Sequence, residues 1–147
     1  MATLNMSEAL GRRVVATDSA EDIGEIKNFI IDRAGRNITK VHVVGRKKNA
    51  ELLEWSSLQF GPDVVMATSG SDVVEVQQDR DLDSVKGNID YFGARVLDTN
   101  GFEHGTVTEV EFDPSDGSIV RVHGEAPIDV ERVRSLGTYA VVIDAAR

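Results

Sequence analysis

The sequence predicts an all-β protein assembled from two copies of one small antiparallel unit. Three observations carry that expectation. Residues 11–45, GRRVVATDSAEDIGEIKNFIIDRAGRNITKVHVVG, are echoed at 93–124 by GARVLDTNGFEHGTVTEVEFDPSDGSIVRVHG, with Gly11 aligned to Gly93, Gly24 to Gly105, Asp32 to Asp113, Gly35 to Gly117, and Val41-His42 to Val122-His123. Within each copy, apolar and polar residues alternate with the period of two that a half-buried strand requires. The alternating runs are broken by turns at Asp32–Gly35 and Asp113–Gly117, where glycine supplies the positive φ of a tight reversal.

Taken in order, residues 1–10 form a lead-in whose Met6, Ala9 and Leu10 can cover a sheet edge. Arg13–Thr17 is a strand, and after a polar turn at 18–22, Gly24 opens the longest strand of the first copy, Glu25–Asp32. Asn37–Val44 returns beside it, rich in the β-branched residues that suit a pleated surface. Arg46-Lys47-Lys48-Asn49 reads as an exposed hairpin tip, and Glu51–Glu54 as a short strand. Trp55–Phe60 has helical spacing for about one turn, Gly61-Pro62 ends it, and Asp63–Thr68 is a further apolar strand. Residues 69–92 join the copies: Ser69-Gly70-Ser71 is flexible, Asp72–Val76 can pair as a strand, and Gln77–Lys86 is polar, with Asp79, Asp81 and Asp83.

The second copy repeats this order. Arg95–Asp98 leads to Asn100-Gly101, a hairpin turn signal, and then to the strands Thr106–Asp113 and Ser118–His123. Asp129–Arg134 reads as one helical turn capped by Asp129, and Tyr139–Asp144 closes the unit. The expected division is a first unit at 5–76, a joint at 77–90 and a second unit at 91–147. A unit of roughly 70 residues buries only about 60% of its unfolded surface. Each copy is therefore expected to lean on the other or on a partner.

Charge and composition narrow the function. Residues 1–75 hold nine Lys/Arg against eleven Asp/Glu, and residues 76–147 hold seven against fourteen, so most of the net charge of −9 lies in the second half. An acidic half repels phosphates, which disfavours nucleic acid as a partner. No apolar run approaches 18 residues, so no membrane span is expected, and the start of the chain lacks a secretory pattern. With no cysteine there is no disulfide, thiolate nucleophile or Cys-ligated metal, and a cytoplasmic location is expected.

Alternation also assigns faces. In the second copy Thr108, Val110 and Phe112 share one face, with Glu109 and Glu111 on the other. Centring both hairpins on their Asp–Gly turns places Val110 opposite Val122 and Phe29 opposite Val41 inside. Outside, it sets Glu111 against Arg121 and Glu109 against His123. Such cross-strand charge pairs contribute about 0.2–1 kcal/mol each and suit a solvated face. The first copy departs from this: Ile30 stands opposite Lys40 in the place of Glu111, and Ile26 is expected opposite Val44. Contiguous apolar surface needs a cover. Ile26, Ile30 and Val44 are thus expected to pack on the second copy, the joint or a partner, and with Arg46, Lys47 and Lys48 they form the candidate interaction residues.

The stretch 93–124 and its echo resemble the PRC-barrel family. Each is followed by a turn-and-strand segment, LLEWSSLQFGPDVVMAT at 52–68 and IDVERVRSLGTYAVVIDA at 128–145. The resemblance implies two tandem small antiparallel barrels of about six strands, each with about one helical turn before its closing strand. Members of the family form the cytoplasmic domain of the photosynthetic reaction-centre H subunit and the C-terminal domain of the ribosome maturation factor RimM. Freestanding members also exist. They are mostly docking modules, and the resemblance supplies no catalytic residues.

The residues themselves give no catalytic constellation. GxSxG, GxxxxGK[ST] and GxGxxG patterns are missing from the chain. His42, His104 and His123 read as exposed strand residues rather than metal ligands, since no pair has a helical or short-loop ligand spacing. The Asp113–Gly117 turn lacks the alternating ligands and distal glutamate of a calcium loop. Trp55 reads as core packing. No catalytic, cofactor or metal residue is therefore expected. The expected function is a non-catalytic interaction or scaffold module with an unidentified protein partner, self-association included. The alternative is an RNA- or ribosome-associated assembly factor that sets Arg46, Lys47 and Lys48 on phosphate.

Overall fold

In the computed structural model, which describes residues 3–45, 51–70, 73–74, 76 and 78–145, a short lead-in precedes the sheets. It consists of β1 (Leu4–Asn5) and α1 (Met6–Ala9). The first half then forms one six-stranded sheet from β2 (Arg13–Ala16), β3 (Asp22–Ile31), β4 (Ile38–Val44), β5 (Glu51–Glu54), β6 (Leu58–Phe60) and β7 (Val65–Ala67). Its order is β5-β4-β3-β2-β7-β6, antiparallel throughout except where β2 and β7 run parallel. A joint helix, α2 (Asp79–Val85), leads to β8 (Arg95–Asp98), β9 (Glu103–Thr106), β10 (Glu109–Phe112), β11 (Ile119–His123), β12 (Pro127–Asp129), β13 (Val133–Leu136) and β14 (Val141–Ile143).

The pairings of the second half follow the same succession. β10-β11-β12 answers to β3-β4-β5, β14 lies parallel to β8 as β7 does to β2, and β13 flanks β14 as β6 flanks β7. The centre differs. β3 is one ten-residue strand, whereas the chain breaks between β9 and β10 at Val107-Thr108. The seven strands of the second half therefore fall into two sheets, β13-β14-β8-β9 and β10-β11-β12, the latter made four-stranded by β1 of the lead-in.

The closed barrels expected from the resemblance are not found: among the described residues all three sheets are open. β5 and β6 are the outer strands of the first sheet, and the single 3-10 turn Trp55–Ser57 carries the chain between them in place of a ladder.

One hydrophobic cluster runs through both halves. It joins Val14, Phe29, Ile38, Val41 and Trp55 from the first to Tyr91, Val110, Phe112, Val122, Val133 and Val141 from the second. Phe112 is its hub, with ring centroids 5.5 Å from Phe29, 5.9 Å from Trp55 and 5.8 Å from Phe60. This mutual burial supplies the apolar area that a unit of about 70 residues lacks alone.

The central turns interlock as well. Ile38 N–H donates to the Gly117 carbonyl and Ile119 N–H to the Arg36 carbonyl, both at 2.8 Å. Gly35, at φ +75°, accepts the Tyr91 hydroxyl on its carbonyl, and a Cβ there would come within 2.6 Å of that oxygen. Arg80 donates to the carbonyls of Ile31, Asp32 and Leu136, binding the joint to both halves. The lead-in crosses over too: Leu4 pairs with Phe112 and Asn5 with Glu111, while Met6 and Ala9 are buried.

The register matches the expected facing of Phe29 with Val41, Ile30 with Lys40, Val110 with Val122, Glu111 with Arg121 and Glu109 with His123. Ile26 is a correction. It pairs with Val43, not Val44, because a bulge between Ile26 and Asn28 takes up one residue and turns Ile26 into the core.

Candidate docking surface

The register puts Asn28 and Ile30 of β3, Lys40 and His42 of β4, and Leu52 and Glu54 of β5 on one outer face. The joint covers it. Lys40 Nζ lies 2.8 Å from the Asp81 carboxylate, and Asn28 Nδ2 donates to the Ser84 carbonyl at 2.6 Å. Val74 forms an antiparallel bridge with Leu52. Ile30 is consequently only 1% exposed, although it stands outside the main cluster. Of the three covers the apolar outer face called for, the joint supplies the one over Ile30. The helix itself escaped sequence reasoning because its buried side chains, Asp81 and Ser84, are polar while Leu82 faces outward. Amphipathic patterning looks for the reverse.

Val44, by contrast, is 46% exposed. It lines a cleft of about 510 Å³ with Leu10, Gly11, Glu25, Ile26 and Lys27. Two residues past His123, as Val44 is two past His42, the second half carries Glu125, exposed in the bend that follows β11. Arg46, Lys47 and Lys48 follow Val44 after Gly45 in sequence and lie outside the described residues.

The titratable groups form structural pairs. His42 corrects the expectation of an exposed strand residue: it is 7% exposed, and its Nδ1 is 2.8 Å from Asn28 Oδ1. Burial, with the Lys27 charge added, holds its pKa below the ordinary imidazole value. His104 Nε2 lies 2.7 Å from the Asp98 carboxylate, and this bond, helped by the N–H groups of Asn100 and Phe102, keeps Asp98 below the usual carboxylate range.

His123 contacts Glu111 at 2.5 Å rather than the expected Glu109, and that bond lowers the Glu111 pKa. Glu109 instead accepts the Ser7 N–H and hydroxyl from the lead-in, so this face is only partly solvated. Asp90, raised by burial, lines a 250 Å³ cleft beside Arg95 and Tyr139, whose ring lies under the Arg95 guanidinium. Nucleophilic catalysis needs a hydroxyl or thiol bonded to the base. Among the described residues neither imidazole has one, the Thr3 hydroxyl donating to the Glu111 carboxylate instead, and no group of three or more His, Asp or Glu could hold a metal ion. No helix among them is long and apolar enough to cross a membrane.

Comparison with known proteins agrees with this picture in part. No curated protein matches the chain. The family model of the PRC-barrel domain matches residues 1–82, the whole first sheet and the opening of α2, and by that match over more than half its length the chain belongs to the PRC-barrel domain family.

Proposed function

We propose that the protein is a non-catalytic docking module of two PRC-type units, with the cleft around Val44 as its contact surface. The observation that carries this reading is the contrast between Val44 and Glu125. The solvated bend that follows β11 carries a glutamate in one half, and the other half extends its strand to Val44 and keeps a half-exposed branched apolar side chain beside Leu10 and Ile26. The shared succession of strand pairings supports the two-unit reading. Arg46, Lys47 and Lys48 are a run of three cations two residues past Val44 in sequence, and such a run suits a protein partner that brings carboxylates.

The test is quantitative capture of partners by the wild-type chain, by Val44→Glu and by Arg46, Lys47 and Lys48 changed together to Ala, with circular dichroism to confirm the fold. One partner lost by at least about tenfold in Val44→Glu is the expected result, since burying an unpaired carboxylate costs more than 1.4 kcal/mol. Identical capture by wild type and Val44→Glu overturns the assignment. Light scattering on the same proteins shows whether the partner is a second copy. RNA binding at low salt that disappears only in the triple variant would favour the assembly-factor alternative.

A further inference from the structure

α2 is seated on its sheet by polar groups. A helix of seven residues has little stability of its own, and helices in globular proteins usually gain it by burying an apolar stripe. Here the attachments are the Lys40–Asp81 ion pair, the Asn28–Ser84 hydrogen bond and the Arg80 guanidinium on three carbonyls. Beneath them lie Ile30 and Leu52, both sealed from water.

His42 is the point where this seal depends on a proton. Asn28 Nδ2 donates to the Ser84 carbonyl, so Asn28 Oδ1 must accept, and His42 Nδ1 must carry the hydrogen it accepts. A relay thus runs from β4 through β3 to α2 with a neutral imidazole at its foot. A second proton would go to Nε2 and leave a cation on a buried ring. The charged groups on the surrounding elements are Asp22, Glu25 and Lys27 on β3, Lys40 on β4, Glu51 and Glu54 on β5, and Asp79, Arg80, Asp81 and Asp83 on α2. No carboxylate among them is bonded to the ring: the polar partner of His42 is Asn28, Asp81 is taken by Lys40, and Lys27 opposes the added charge.

We propose that the joint helix is a proton-operated latch, in which neutral His42 keeps α2 seated and protonation of His42 lifts it, uncovering Ile30 and Leu52. Water must reach the ring to solvate the cation, and on the outer face Val74, bridged to Leu52, and α2 are the described parts of the layer that excludes it. Because burial holds the imidazole below its ordinary range, the latch is shut at neutral pH and opens in acid.

Amide exchange tests this. The Leu82, Lys86, Gly87 and Val74 N–H groups, bonded to Gln78, Leu82, Ser84 and Leu52 carbonyls, report on the latch, while the Val107 and Asp113 N–H groups, bonded to the Ala94 and Ser118 carbonyls in the second half, serve as controls. From about pH 7.5 down through the titration of the His42 ring, intrinsic-rate-corrected protection should fall at least about tenfold in the latch and stay level in the controls. The fall should track the carbon-13 titration of the His42 ring in the same wild-type sample. His42→Gln retains an N–H for Asn28 without a titrating charge, so its latch should stay protected across the range. Asp90, which titrates near the same segment, is intact in that variant. A latch that opens equally in His42→Gln, or that stays shut in wild type while the His42 ring titrates, overturns the proposal. The wild-type comparison decides by itself should the variant not fold.

Discussion

Truncating Phe112 to alanine should destabilise both halves of the protein at once. The side chain is fully buried on β10, and the three aromatic rings around it, Phe29, Trp55 and Phe60, all belong to the first half. Removing a buried phenylalanine costs about 3–5 kcal/mol. Aromatic pairs contribute about 0.5–1.5 kcal/mol beyond area, and three lost together keep the expectation out of the lower part of that range, at about 4 kcal/mol. A domain of ordinary stability has only about 5–15 kcal/mol. With a urea dependence of about 2 kcal/mol per molar, the unfolding midpoint should drop by about 2 M.

Two probes make the measurement decisive. Circular dichroism follows the sheets of both halves, and fluorescence follows Trp55 alone, the single tryptophan of the chain. The two curves should coincide before and after the substitution and move together. A Trp55 transition that stays in place while part of the dichroism signal shifts would show two independently folding halves. A cost below about 1.5 kcal/mol, less than half the smallest value for such a truncation, would remove Phe112 from the centre of the core.

Two further outcomes bear on the turns and the charge pairs. Gly35→Ala should cost about 1–3 kcal/mol or more in thermal unfolding, since it adds a left-handed backbone penalty to a Cβ pressed on the Tyr91 hydroxyl; Gly87→Ala, at φ +83° in open space, should show the backbone penalty alone. His104→Ala should return the Asp98 carboxyl toward its ordinary pKa, read by carbon-13 titration. A depressed carboxylate contributes stability above the ordinary Asp range that is lost as pH falls through it, so the variant's acid limb should be shallower, and an unchanged Asp98 titration would refute the pairing.

Strand order and facing were legible because they rest on local rules. Glycine at Gly35 and Gly117 sets the turns, and alternation from Phe29 to Ile31 and from Glu109 to Phe112 sets the faces. What escaped depended on one-residue events or on distant parts of the chain. The bulge at Lys27 turned Ile26 inward, and the break at Val107-Thr108 split a strand into two sheets. α2 hid behind an inverted polarity, and with it the burial of His42. At the candidate site, the odd apolar character of Ile30 and Val44 was visible in sequence. That the joint covers one and leaves the other in water is a property of the packed chain.

The interlocking of the halves also fixes the order in which the chain can mature. Synthesis delivers Phe29, Ile38 and Trp55 first, yet the Phe112 ring that completes their packing emerges 57 residues after Trp55. At about 5–20 residues per second, that leaves a nascent chain with an open apolar surface for roughly 3–11 s. The first half is thus committed to finishing its fold late, and a product terminated between Trp55 and Phe112 would be a natural substrate for chaperones and proteases.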